Sequence, residues 1–185
     1  MMTRQRLLLH CCCAPCGIAV IDELRFAYML TVFFYNPNID TEDEYLRRKR
    51  EVVRVCEEWQ VPMIDGDYEP GVWAEAVRGR ETESEGGLRC QACIGLRLQR
   101  TAEEARARKM EQFGTTLTMG RRKKASLIFP LAEAIGASTG VAFLAEDWKK
   151  RGREERARAM IAQRGIYRQT YCGCQYSRDR QLDLD

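Results

Sequence analysis

At 185 residues the chain is about the size of one ordinary domain, able to bury roughly 70% of the surface its unfolded form would expose. Apolar residues at 45% and charged residues at 31% exclude a largely disordered chain. The formal net charge of +3 is uneven: residues 1–120 carry 16 basic and 19 acidic side chains, whereas residues 121–168 carry 12 and 5. Such a local excess is either a solvated helix face or the footprint of a polyanion such as RNA.

The apolar run Leu7–Leu9, before His10, is too short for a secretory signal or a membrane span, so the expected location is the cytoplasm, with no membrane partner. It predicts a first strand. Ala14-Pro15 then turns the chain into an apolar stretch of helical length, Ile18–Leu24. Leu30–Tyr35, rich in β-branched and aromatic residues, predicts the second strand, ended by Asn36-Pro37-Asn38. Thr41 stands three residues before Glu44, a capping-box spacing that opens a helix through Tyr45, Leu46, Val52, Val53 and Trp59.

A third short strand is expected at Val61–Ile64 and a helix around Val72–Val77. Ile94–Met110 has the Leu, Arg, Ala and Glu content of a helix, with Cys93 at its start. Thr115–Thr118 predicts a fourth strand, Lys124–Ala137 a helix, Val141–Leu144 a fifth strand and Trp148–Arg164 a last helix. Strands alternating with helices imply a single α/β domain over 1–185, with a mainly parallel sheet flanked by helices. Ligands of such sheets bind beyond the carboxyl ends of strands, which is where the thiols at residues 11–16 fall.

Of nine cysteines, eight are clustered: Cys11, Cys12, Cys13 and Cys16; Cys90 and Cys93; Cys172 and Cys174. Cys56 stands alone and reads as a small buried hydrophobe. In a reducing compartment this inventory points to metal binding or redox catalysis rather than structural disulfides. Adjacent thiols in a strand-end loop, joined by a C-x-x-C pair, can complete a four-thiolate site. Spacing alone leaves both an iron-sulfur cluster and zinc open. Cys172-Gly173-Cys174 reads either as a strained, easily reduced disulfide or as two further metal ligands.

Several ordered motifs are present at once: His10-Cys11-Cys12-Cys13-Ala14-Pro15-Cys16, Phe34-Tyr35-Asn36-Pro37-Asn38-Ile39, Glu44-Tyr45 and Arg48. Gly86-Gly87-Leu88-Arg89-Cys90-Gln91-Ala92-Cys93, Thr115-Thr116-Leu117, Asp147-Trp148-Lys149-Lys150 and Tyr171-Cys172-Gly173-Cys174 follow. Together, from His10 to Arg178, they resemble the cobalamin-independent epoxyqueuosine reductase family, QueH. The family pattern is His, any residue, then Cys-Cys-Ala-Pro-Cys, so Cys11 occupies the variable place. The resemblance implies a nucleotide-binding-like core of the HUP or PP-loop kind. It also implies a four-iron four-sulfur cluster on Cys12, Cys13, Cys90 and Cys93, and a redox-active pair, Cys172 and Cys174, in a C-terminal segment closing over the site. The implied reaction is reduction of epoxyqueuosine to queuosine at the wobble position of tRNA, the last step of queuosine biosynthesis, with an electron donor the sequence does not identify. Where the family commonly has Ser-Pro before basic residues, this chain has Gly120-Arg121-Arg122-Lys123-Lys124.

Removing an epoxide oxygen takes two electrons and two protons. Cys16 is the candidate ligand for an additional iron ion acting as a Lewis acid. His10, Asp147 and Tyr35 are candidate proton donors. Arg121, Arg122, Lys123, Lys149 and Lys150 are candidate phosphate contacts, with Tyr171 or Tyr176 stacking on a base. Two other readings use the same residues. One is a zinc-stabilised RNA-binding module without redox activity. The other is an ATP-using tRNA thiolation enzyme, which would need a Ser-Gly-Gly-x-Asp-Ser loop that the chain lacks.

Overall fold

The computed structural model describes residues 4–182, with side chains through Arg178, so the outermost residues of the expected 1–185 domain lie outside the described residues. In chain order the elements are β1 (Arg6–His10), α1 (Ala14–Ala27), β2 (Met29–Phe34), α2 (Glu42–Glu58), β3 (Met63–Asp65), α3 (Pro70–Val77) and α4 (Leu88–Ala107). Then come β4 (Gln112–Thr115), a 3-10 turn (Leu117–Met119), α5 (Ala125–Thr139), β5 (Ala142–Phe143), α6 (Arg153–Arg164) and α7 (Gln175–Leu182). All five strands are parallel, in the order β3-β2-β1-β4-β5.

The central strands are buried on both faces, which is why their sequences are continuously apolar rather than alternating. Successive side chains still point to opposite faces. Leu7, Leu9, Val32 and Phe34 pack in one core with α1, α2 and α6; Leu8, Phe33, Tyr35 and Phe113 pack in the other with α4 and α5. β1 pairs with β2 on one side and β4 on the other, so the strand order reverses beside it. A crevice opens at that reversal, beyond the carboxyl ends of β1 and β4.

Thr41 Oγ1 accepts from the Glu44 amide at 3.2 Å, so the expected cap of α2 is present. Three expectations shift. The fourth strand runs over Gln112–Thr115 rather than Thr115–Thr118, sharing only Thr115 with the expected stretch, because Thr115 Oγ1 accepts the Leu117 amide at 3.2 Å and turns the chain into a 3-10 coil. α4 begins at Leu88 after Gly87, so Cys90 and Cys93 both lie within the helix rather than Cys93 at its start. The last predicted helix starts at Arg153, not Trp148, because Trp148 is pinned: its amide donates to Thr118 Oγ1 at 3.1 Å and its indole Nε1 to the Thr115 carbonyl at 3.0 Å. α7 was not expected from the sequence. Among the described residues, no helix is long and apolar enough to cross a membrane.

Candidate functional site

Leaving β1, the chain sends Cys11 and Cys12 to opposite faces. Cys11 is fully buried in the α1-side core, its thiol 3.3 Å from the Cys13 carbonyl, while Cys12 packs against the α4-side core. Cys13 is the N-cap of α1 and Cys16 lies in its first turn. The sulfurs of Cys12, Cys13 and Cys16 lie within 4.8 Å of one another, the one group of three metal-ligating side chains found among the described residues. Hydrogen bonds from Cys13 and Cys16 hold the Cys12 thiol well below its ordinary pKa. The reciprocal bond pushes Cys13 up to about 12, and Cys16 also rises. The triad therefore favours a thiolate at Cys12 flanked by two thiol donors.

These three thiols line a cavity of about 530 Å³. Cys172 and Tyr171 lie on its wall, and Arg121, Arg122 and Lys123 belong to the same lining. Gln169 donates from Nε2 to Cys13 Sγ at 2.8 Å. The loop carrying Cys172 is clamped by Arg48, whose Nη1 and Nη2 donate to the Cys172 and Tyr171 carbonyls at 2.9 and 3.3 Å. The Asp40 amide donates to the Gly173 carbonyl at 2.9 Å. Gly173 has φ +139°, and a Cβ there would stand 2.9 Å from Asn38 Nδ2, so only glycine fits this bend.

Cys90 and Cys93 occupy one face of α4, and Cys93 packs with Cys174 and Trp73. Arg97, one helical turn after Cys93, is buried in the cavity wall; burial works against its charge, but the sulfurs of Cys93, Cys172 and Cys12 outweigh it and raise its pKa. Cys90 and Cys93 are not among the residues that line the cavity, whereas Arg97 is. None of the nine cysteines is disulfide-bonded, so Cys172 and Cys174 stand as a dithiol. They are unlike. Burial opposes ionisation of Cys172, but Lys123, whose Nζ is 2.9 Å from its sulfur, and Arg97 outweigh it and lower its pKa. Burial and Cys172 push Cys174 up to about 11.

The proton-donor candidates lie elsewhere. His10 is fully buried, its Nε2 3.0 Å from the Tyr35 carbonyl and its Nδ1 3.0 Å from Thr115 Oγ1. That network assigns the proton to Nε2, with the Thr115 hydroxyl donating to Nδ1. Burial and then Arg97 hold its pKa down to about 4, so the ring is a neutral tie between β1, β2 and β4. Tyr35 Oη donates to Glu69 at 3.2 Å, and burial followed by Glu69 raises it to about 12. Asp147 Oδ1 accepts the Lys149 amide at 3.3 Å, and its other oxygen is 3.7 Å from Lys150. Neither His10, Tyr35 nor Asp147 lines the cavity. Lys149 donates from Nζ to the Lys123 carbonyl at 2.8 Å and so braces the basic loop. Tyr176 packs against Trp73 and beneath Arg89.

Comparison with known proteins decides the family. Residues 7–180 match the family model described as epoxyqueuosine reductase QueH. The chain belongs to the QueH family. It is 36% identical over 174 residues to the epoxyqueuosine reductase QueH of Histophilus somni, covering 93% of this chain and 72% of that one. It is 37% identical over 174 residues to the QueH of Thermotoga maritima, covering 92% and 89%. Among solved structures, the U34-tRNA thiolase NcsA of Methanococcus maripaludis, determined with its [4Fe-4S] cluster, superposes with a TM-score of 0.58 at 11% identity. That match covers 99% of this chain and 66% of the thiolase, and shows a shared PP-loop-like α/β fold.

Sequence reasoning for this QueH member overlooked Arg97 and Gln169. Arg97 could have been found from helical spacing, since it follows Cys90 by seven residues and Cys93 by four. Gln169 lies in a loop without periodicity, and nothing local marks it.

Proposed function

We propose that this chain reduces epoxyqueuosine to queuosine at the wobble position of tRNA, in the cytoplasm, the last step of queuosine biosynthesis. The observation that carries the reading is a QueH family match over residues 7–180 in a chain whose thiols gather at the sheet's switch point. A four-iron four-sulfur cluster would be held by Cys12, Cys13, Cys90 and Cys93, and Cys16 would serve an additional iron. The residues present fit such a group. They supply the thiols of Cys12, Cys13 and Cys16 on one cavity, a buried Arg97 on its wall one turn from Cys93, and a buried Trp73 Nε1–H, packed beside Cys93, that has no protein acceptor.

When bound, the cluster supplies electrons one at a time. Converting the epoxide to an alkene consumes two electrons and two protons and releases the oxygen as water. Oxidation of Cys172 and Cys174 from dithiol to disulfide delivers two electrons and two protons. Lys123 holds Cys172 at the cavity wall as the more readily ionised partner, and Cys174 keeps its proton. An external electron donor must then reduce the pair. Arg121, Arg122 and Lys123 would meet tRNA phosphates at the mouth, and Tyr171, over which Arg48 lies at 5.0 Å, would offer a face to a base.

Nucleoside mass spectrometry of tRNA from cells lacking this gene, with no second enzyme for the step, tests the proposal. Epoxyqueuosine should accumulate and disappear on complementation with the wild-type gene, but not with Cys172→Ser. Normal queuosine in the deletion strain would overturn the assignment.

A further inference from the structure

A guanidinium does not lose its proton inside a protein, and burying it without an opposing charge costs several kcal/mol. The buried arginines of this chain meet that demand in different ways. Arg48 pairs with Glu44 at 2.7 Å, and Arg153 with Glu23 at 2.7 Å and Glu146 at 2.9 Å. Arg89 is held by three loop carbonyls, those of Arg80, Glu81 and Glu83.

Arg97 is 2% exposed and has neither arrangement. Its Nε donates to the Cys93 carbonyl at 3.2 Å and its Nη1 to Asn36 Oδ1 at 3.5 Å, both neutral acceptors. Cys12 and Cys172 line the same cavity as Arg97, and Cys93 stands one helical turn before it. Helical geometry enforces this placement: Cys90, Cys93 and Arg97 follow one another by three and four residues and share a face of α4. A permanent cation has therefore been built into the wall of the cavity that Cys12, Cys13, Cys16 and Cys172 line, one helical turn from Cys93, with no carboxylate paired to it among the described residues.

We propose that Arg97 is the fixed counter-charge of the cluster thiolates and sets the cluster's reduction potential. The inference rests on the cluster reading above. A positive charge close by in a buried site favours the state that carries one more electron, so it raises the potential. Arg97 acts through the thiolates and is a positioning residue, one that makes the cluster easier to reduce.

The test compares the full chain with Arg97→Lys and Arg97→Met, each purified without oxygen. Iron content and circular dichroism establish an intact, folded protein, and a potentiometric titration followed by electron paramagnetic resonance reads the midpoint. Arg97→Met should shift to a more negative potential at unchanged iron content, and Arg97→Lys should stay near the wild type. Loss of iron from Arg97→Met but not from Arg97→Lys equally supports a role for the charge. A wild-type potential in iron-loaded Arg97→Met, or equal shifts or equal iron loss in both variants, would overturn it. A wild-type chain that carries no iron would instead sink the cluster reading itself, leaving the two failures distinguishable.

Discussion

Gly17 faces the Cys11 thiol so closely that a Cβ at this position would lie 2.5 Å from Cys11 Sγ and 3.3 Å from Ile21 Cδ1. Cys11 is thus a packing residue filling the corner between β1 and α1, separated from the Cys12 sulfur by the alternation of the strand. Burial, then the neighbouring thiols, raises its pKa well above the ordinary value, so it stays a neutral thiol. Gly17→Ala should destabilise the protein by about 2 kcal/mol, the typical cost of overpacking. In a Cys11→Ala background most of that cost should vanish, a coupling that urea denaturation of the four-member cycle would read. Cys11→Ala alone should leave the iron content of the purified protein unchanged. Loss of iron would return Cys11 to the ligand set.

At the scale of elements, α6 is tied to α1 through Arg153, whose nearly buried guanidinium grips both oxygens of Glu23 at 2.7 and 2.8 Å and also meets Glu146. The bond to Arg153 lowers the pKa of Glu23. Stability from this pair is fully present above the unfolded carboxylate value, about 4.3, and is lost as pH falls through the depressed folded value. Wild type should therefore exceed Glu23→Gln in urea midpoint at pH 7, and the two should converge as pH falls below about 4.3 and through the depressed folded value. A gap unchanged by acid would mean that the pair contributes nothing electrostatic.

The strands and most helices were legible because their apolar runs are long and continuous. Boundaries were less so where side chains compete with the backbone. Thr115 and Thr118 have strand propensity, but their hydroxyls bind the Leu117 and Trp148 amides and end β4 early. The cysteine loop, the C-x-x-C pair and the Cys-Gly-Cys segment could be read as site elements from their residue types. That His10 would be sealed by Thr115 and Tyr35, or that Arg97 would join the thiols, depends on neighbours distant in sequence.

For the molecule as a whole, the basic excess of residues 121–168 is not spread evenly. Arg121, Arg122 and Arg158 come together on the lining of the thiol cavity, and Arg168 joins them from just before the Cys-Gly-Cys segment. Glu85, 2.5 Å from Arg122, and Glu154 are the acidic residues of that lining. Replacing Arg121 and Arg122 with Ala should weaken tRNA binding. It should also flatten the dependence of log affinity on log salt, by about one for each phosphate that is no longer neutralised. Unaltered affinity across salt concentrations would move the RNA path off this rim.

The proposed function requires that thiols from the β1–α1 loop and from α4 meet around iron and sulfide. Metal analysis of protein purified without oxygen tests it most directly. The protein should be brown, with at least about four iron and about four sulfide per chain, both lost on changing Cys12 or Cys93 to Ala. A colourless protein carrying one zinc ion, or iron retained in both variants, would contradict it.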